Sequence, residues 1–556
     1  MRSNLSVRQH AFLGTVVLLL AINFITPGYS FGYGEQMLLS IKGISWADQN
    51  TFVGDWFNNY APQPHVLFDA ITYFGEKIHF LAGIYFLYYI ACCFVFAIAT
   101  SLLAEKWLPQ NLKYLQHFVN VLCVAGPYFL LGTFLTIHLQ AVPNMAGGCM
   151  AYLTIALLLT RRDSWAALAI VGTACFHLQH GIAMATIAIL FVVFGLTEKK
   201  VRIVVASLGA LVISFGTAFY RDILSGSSEI AQEAAEIGST GHLNVETWST
   251  SSIRWGLFIL ALAVLHFATT NEKRIRTTAL FSLVALGPIV GIVADLNNIE
   301  PLQSLARSYF IYRYSMVLAP FACWFLICRL AQVGAARKLI AVFSLLIAIF
   351  GIASYLSVTY VQFSQLRSAW ILGGITALGI TLWWNKQEKF NSIHWPFIAI
   401  AYLVVSTTVI SFQHFGSRWP SIDYAVDDNA VTISRSMGTA LLKNDVLASD
   451  PSIPWIRPLT RRAIVADCKG VPYGGKAWDE YLRRLALLGV DAPNVCVGFK
   501  TLSLEKLLTL PKSVGATTVL LMPDDVAYKD AKEKLTVRWS SGGQAPWIIF
   551  ELPPLN

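Results

Sequence analysis

Apolar runs of about 20 residues recur along the chain from residue 11 to residue 413, separated by short polar loops. As a helix, each covers the ~30 Å of a hydrocarbon core. Read over windows of about 19 residues, the pattern predicts about thirteen spans, at 10–28, 78–104, 114–138, 146–160, 164–179, 181–197, 201–220, 254–270, 276–294, 308–330, 338–360, 367–384 and 394–413. Beyond residue 413 the pattern changes. Short β-like runs (Ala463–Cys468, Thr517–Met522, Trp547–Leu552) alternate with helical stretches at Trp478–Leu488 and Leu502–Leu510. Such alternation predicts a small α/β domain. The expected architecture is a polytopic α-helical membrane protein, residues 1–413, followed by a C-terminal α/β domain, residues 414–556.

Composition supports the first half of that reading. Of 556 residues 55% are hydrophobic and 13% charged, with mean hydropathy +0.57; a soluble chain carries about 25% charged residues. The net charge of +9 would suggest nucleic acid, but the basic residues lie in short loops between spans, where they set orientation. With the N-terminus in the cytoplasm, Lys106, Lys113, Arg161, Arg162, Lys199, Lys200, Arg202, Lys273, Arg274 and Arg276 all fall inside, as do Arg329, Arg337, Lys338, Lys386 and Lys389. The opposite loops are poor in Lys and Arg. The expected topology is N-terminus cytoplasmic and C-terminal domain external (periplasmic), in the plasma or inner membrane. The first span lacks a small-residue cleavage site after it and reads as an uncleaved helix rather than a signal peptide.

Chemistry gathers on the external side of that topology. The first external loop, 29–77, opens with GYGEQMLLSIKGISWADQNTFVGDWF from Gly32 to Phe57. It carries Glu35, Asp48 and Asp55, the last two beside Trp46 and Trp56, which suit a membrane interface and stacking on sugars. Carboxylates at the mouth of a membrane bundle are costly to desolvate and serve function there. Several in one loop suit general-base work on an acceptor hydroxyl, and their oxygens also suit a divalent cation; otherwise each is a solvated or helix-capping acid. Pro64–Phe80 sets Val66, Ile71, Phe74 and Ile78 on one face, as a helix lying on a membrane does.

His177 and His180 in CFHLQHG are spaced i, i+3, which places both on one helix face at the external end of the fifth span. Two histidines alone make an incomplete metal site, so they read as substrate-binding or as polar bundle residues. His138 and Gln140 stand at another external end. Arg307 and Arg313, in DLNNIEPLQSLARSYFIYR, run against the charge rule on the external side. Either they pair with Asp295 or Glu300, or their planar forks hold a phosphate at lipid depth. The 221–253 loop, with Glu229, Glu233 and Glu236 at helical spacing, reads as a mobile binding loop or a surface helix. Seven cysteines fall within spans; Cys468 and Cys496 are the two in the external domain and form a disulfide candidate.

This layout resembles the GT-C superfamily of polytopic glycosyltransferases, whose members carry an acidic residue in the first external loop. Tyr33–Gln36 (YGEQ) stands in that place, with a single acid where the family often doubles it. About thirteen spans with a C-terminal external domain is similar to the oligosaccharyltransferase and C-mannosyltransferase branches. WADQNTFVGDWF, LQSLARSYF and ADCKGVPYGGKAWDEYLRR also look like stretches of a group of bacterial membrane proteins with GT-C-like architecture. The resemblance implies inverting transfer of a sugar from a polyprenyl-phosphate-linked donor to an external glycan, lipid or protein acceptor. Glu35 or Asp48 would be the general base, Arg307 with Arg313 would hold the donor phosphate, and no cofactor would be required. The rival from another class is a transporter or flippase of lipid-linked glycans, whose charged sites lie near the midplane between inverted repeats; no repeat is visible here, and the polar candidates gather at one face. A glycan polymerase or ligase is expected to carry a large late external loop instead, and a non-catalytic scaffold has no need of clustered acids and arginines.

Overall fold

The computed structural model describes residues 6–25, 29–32, 35–61, 64–125, 129–134, 137, 140–220, 233, 237, 244–270, 273–308, 311–332, 421–424, 428–472, 476–543 and 546–554. In chain order the helices used below are α1 (Val7–Ile25), α2 (Glu35–Ala47), α3 (Trp56–Tyr60), α4 (Val66–Lys77), α5 (Leu81–Trp107), α6 (Gln116–Ala125) and α7 (Pro143–Leu159). They continue with α8 (Asp163–Phe176), α9 (Leu178–Val193), α10 (Lys200–Tyr220), α11 (Thr250–Thr270), α12 (Arg274–Leu296), α13 (Glu300–Ser308), α14 (Tyr314–Gln332), α15 (Asp428–Ala440), α16 (Ile456–Thr460) and α17 (Lys476–Leu487). The chain divides into two compact units, one of residues 1–30, 87–214 and 245–421 and the other of residues 31–86, 215–244 and 422–556.

The first unit is helical. Among the described residues, five segments are long and apolar enough to cross a membrane: Leu81–Trp107, Lys200–Phe219, Ser252–Thr270, Arg274–Leu296 and Ile311–Arg329. Val7–Ile22, Pro143–Leu159, Asp163–Phe176 and Leu178–Val193 are shorter apolar helices. The chain is a polytopic helical membrane protein. Hydroxyls within these helices fold back on their own backbone, Thr100 to the Phe96 carbonyl at 3.1 Å, Thr154 to Met150 at 2.8 Å and Ser207 to Ile203 at 2.8 Å, which satisfies them inside an apolar bundle. Pro143 opens α7, where its fixed φ and missing N–H cost nothing. The bundle's aromatic centre sets the Trp107 ring edge-on to His266 at 4.2 Å and to Trp324 at 5.3 Å, and Trp324 donates to the Tyr152 hydroxyl at 2.7 Å.

One expected span changes form. The apolar run at 114–138 continues as helix only to Ala125; Phe129–Leu130 then pairs antiparallel with Thr133–Phe134. The sequence itself supplies the break, a Gly-Pro pair at 126–127. The spans expected at 338–360, 367–384 and 394–413 lie outside the described residues, as does His138.

The second unit combines the first polar loop with the C-terminal residues, a division that differs from a cut at residue 413. Its sheet has five strands in the order Ala463–Ile464, Val446–Ala448, Thr518–Leu521, Ile548–Glu551, Val537–Ser540. The first three run parallel and the last two antiparallel to their neighbours. Leu447, Ile464, Leu520 and Ile549 meet Met437, Leu441 and Ile456 in one buried cluster. The structure pairs Cys468 with Cys496, Cα atoms 6.0 Å apart. Trp478 is fully buried and donates to the Glu233 carboxylate at 3.2 Å; Glu229 and Glu236 lie outside the described residues.

In the same unit α2 packs on α4, and Gly43 makes the crossing close: a Cβ there would lie 2.4 Å from the Thr72 Cβ. Asp69, Thr72 and Glu76 face inward from α4, while Val66, Phe74 and Ile78 are exposed. Phe68 is buried on the same side as the acids, so the inner face is mixed while exposed apolar residues remain outside.

Asp525 follows the Thr518–Leu521 strand. Burial first, then the charges of Asp524 and Asp450, push its carboxyl up to about 6, against the opposing N–H of Met522. A carboxyl whose folded pKa is raised binds its proton more tightly than the unfolded chain does. Its cost to stability is therefore fully present above pH 6 and relieved as pH falls toward 4. Asp525→Asn keeps an oxygen for Met522 and removes the charge. It is expected to stabilise the protein by ~1–2 kcal/mol at pH 7.5 and by nothing measurable near pH 4, read from thermal unfolding in detergent at both pH values.

Candidate active site

In the second unit the three candidate carboxylates hold different posts. Glu35 is the first residue of α2 and is half-buried. Its neighbour Gln36 is buried and accepts from the Gly32 N–H at 2.6 Å, which fixes the turn entering the helix. Asp48, just past the end of α2, accepts from the backbone and the side chain of Asn50, at 2.9 and 3.0 Å. The Asn50 backbone bond, first among the causes, holds its carboxyl below the usual value. A carboxylate stabilised in its charged form is a weakened base.

Asp55 is completely buried. One oxygen caps α3 by accepting from Asn58 N at 2.8 Å; the other accepts from Arg457 Nε at 3.0 Å and from Ile464 N at 3.1 Å. Arg457 also donates to Asp467, and its guanidinium lies 5.0 Å from the centre of the Phe57 ring. Burial pushes the Asp467 carboxyl up against the pull of Arg457. Asp55 thus ties the 48–61 loop to α16 and the sheet instead of standing open to a substrate. Its neighbour Trp56 follows suit: it is buried, stacked on Tyr481 at 6.3 Å and with the Arg484 guanidinium over its ring at 5.4 Å, so it is packed by protein and not offered to a sugar. Trp46, at the end of α2, is exposed. A second tie runs from Arg461 to both oxygens of Glu76 on α4.

In the first unit the candidates separate into a brace and an open array. Arg307 on α13 is buried and donates through Nε and Nη2 to Asp295 Oδ1, at 2.9 and 2.8 Å. Gln303 Nε2 reaches the same oxygen at 3.0 Å and the Val245 N–H reaches Oδ2 at 2.8 Å. The pairing with Asp295 fixes α13 against the end of α12. The 3₁₀ turn Ile311–Arg313 follows, anchored where the Tyr312 hydroxyl donates to the Gly291 carbonyl at 3.2 Å. Arg307 and Asp295 thereby position the turn that carries Arg313.

Arg313 is half-buried, and its Nη1 donates to His177 Nε2 at 2.8 Å and to Asn144 Oδ1 at 3.2 Å. His180 Nε2 lies 2.9 Å from the same Asn144 oxygen. The histidines do not share a helix face. His177 is the extended residue between α8 and α9, at φ −153° and ψ 117°, and His180 sits in the first turn of α9. The break still brings their ring centres to 4.7 Å. Gly147, one turn along α7 from Asn144, makes room: a Cβ there would lie 2.6 Å from His180 Cδ2 and 2.7 Å from His177 Cβ. Asn144 does not titrate, and its only sequence signal is the glycine pair at 147–148, which marks a close approach.

The array stands where α7, α9 and α14 all begin. Helix starts present partial positive charge and unsatisfied N–H groups. Three of them around one arginine favour an anion. Among the described residues there is no group of three or more His, Cys, Asp or Glu arranged to hold a metal ion.

No protein-family model matches the chain, and no curated protein matches it in sequence. Among solved structures it is similar to ArnT from Cupriavidus metallidurans bound to undecaprenyl phosphate, at 11% identity and a TM-score of 0.47, over 98% of each chain. It is also similar to the apo state of ArnT from Cupriavidus metallidurans, at 11% identity and a TM-score of 0.45, again over 98% of each chain.

Proposed function

We propose that the chain is a GT-C-type glycosyltransferase. On this reading it moves a sugar from a polyprenyl-phosphate-linked donor to an acceptor on the external face of the membrane, inverting the anomeric carbon. The supporting observation is Arg313, set among Asn144, His177 and His180 at three helix starts. That array suits the phosphate of a membrane-borne donor better than Arg307, whose fork is spent on Asp295.

Glu35 is the general base. It takes the proton of the acceptor hydroxyl as that oxygen attacks the anomeric carbon from the face opposite the phosphate, and this attack inverts the centre. The anomeric C–O bond breaks with its electron pair going to the phosphate, whose growing charge Arg313 meets. A lipid phosphate is a good leaving group, so one base and one cation suffice and no divalent cation is required. Asp48 and Asp55 are less suited, the one held by Asn50 and the other spent on Arg457. The acceptor is a glycan, a lipid or a protein bearing a hydroxyl. The N-terminus lies in the cytoplasm and the C-terminal residues outside.

The test uses purified protein, radiolabelled polyprenyl-phosphate sugars and a membrane extract as acceptor. Glu35→Gln is expected to keep donor binding and lower transfer by about 10²–10⁴-fold, the range for a lost general base, while Asp48→Asn stays within a few-fold of wild type. Full transfer by Glu35→Gln would remove it as the base. Donor that binds and is moved across vesicles without turnover would favour a flippase.

A further inference from the structure

Arg313 keeps its proton at any relevant pH, so in the 2.8 Å contact its Nη1 donates and His177 Nε2 accepts. His177 is therefore neutral, with its proton on Nδ1. Asn144 Oδ1 accepts from the same arginine, so the 2.9 Å contact to His180 makes His180 Nε2 a donor. The polar chain has one direction, from His180 to Asn144 and from Arg313 to both Asn144 and His177.

The donor and the lipid product of the proposed reaction differ in charge at this place. A phosphodiester carries one negative charge, and the phosphomonoester left after transfer carries nearly two. Arg313 answers one. A second charge that draws Nη1 off His177 brings phosphate oxygen against Nε2, where a lone pair repels it and a proton attracts it. Besides Arg313, His180 on α9 stands beside His177 with ring centres 4.7 Å apart, and Tyr88 of α5 lies against the adjoining Phe176 with ring centres 6.1 Å apart. From α7 come Asn144 and Gly147, neither of which titrates.

Resting on the phosphate-site reading above, we infer that His177 is the residue that tells lipid phosphomonoester from phosphodiester, by taking up a proton when the dianion binds. Solvent supplies the proton. Neutral site, phosphomonoester dianion and one H⁺ give a complex in which His177 Nε2–H and the Arg313 fork each meet one charge. The diester binds without this step.

The experiment is calorimetry on the full-length protein in detergent at pH 8, in two buffers of different protonation enthalpy. The ligands are farnesyl phosphate and its methyl phosphodiester. Wild type is expected to take up close to one proton with the monoester and none with the diester. His177→Gln retains a carbonyl oxygen for Arg313 and cannot protonate. It is expected to lower monoester affinity relative to diester affinity by about tenfold, the size of one charge-assisted hydrogen bond, with no proton uptake for either ligand. Monoester binding without uptake in wild type, or uptake that persists in His177→Gln, overturns the assignment and leaves the phosphate site standing. If neither ligand binds wild type, the phosphate-site reading falls and takes this inference with it.

Discussion

Replacing Arg313 by alanine is expected to lower sugar transfer by about 10²–10³-fold, the usual loss for one preorganised donor to a developing anion. Charge grows on the leaving phosphate as the anomeric bond breaks, so the arginine contributes more in the transition state than in the bound donor. The larger share of the loss should therefore fall on kcat. Arg313→Lys keeps a charge but loses the planar guanidinium, whose Nη1 donates to both His177 and Asn144, and is expected to recover only part of the rate. Arg307 makes the informative contrast. Its removal leaves Asp295 buried and unpaired against Val245 and Gln303, and it should show first as a lowered melting temperature. Activity lost equally in both variants, with equal destabilisation, would reduce Arg313 to a structural residue.

The largest effect on stability is expected from Arg457→Met. The side chain lies between Asp55 and Asp467 in the second unit, and all three are buried. Burying a lone pair of charges is weak evidence for stability, but removing the shared cation strands two carboxylates away from water, at about 3–5 kcal/mol. At roughly 2–4 °C per kcal/mol for a unit of this size, the melting point should fall by about 10 °C. Adding Asp55→Asn and Asp467→Asn should recover most of it, because no uncompensated charge is then left. A single variant that melts with wild type would show that the triad is not what holds the 48–61 loop to the sheet.

That triad also shows where sequence reading stops. Asp55 and Arg457 are 402 residues apart, and no spacing or periodicity encodes such a partner. A buried loop acid flanked by tryptophan looks in the sequence like one at a membrane interface. The same distance explains why residues 31–86 group with the C-terminal residues: Phe52 N bonds to the Arg461 carbonyl and Glu76 to the Arg461 side chain, both remote in the chain. Apolar periodicity, by contrast, is written locally. It located the helices from α7 to α12 and the two buried strands at 518–521 and 548–551, whose side chains are almost wholly covered. It passed over Val537–Ser540, an edge strand with exposed ends, and Val446–Ala448, only three residues long. The histidine pair was visible, but its helical spacing concealed the break at His177, because i, i+3 proximity survives a change of helix when Gly147 lets the rings lie on α7. The disulfide was legible for a simpler reason: outside the spans there were only two cysteines to pair.

In the proposed reaction the bond between a sugar and a lipid phosphate breaks and the phosphate stays on the lipid. Product analysis after incubating the wild-type protein with polyprenyl-phosphate sugars and a membrane extract would reveal it. Mass spectrometry of the lipid would be paired with proton NMR of the new glycosidic bond. Polyprenyl monophosphate should appear in step with labelled acceptor, with an anomeric configuration opposite to the donor's. Donor recovered intact in the presence of every acceptor fraction, or transfer with the donor's configuration retained, would contradict it.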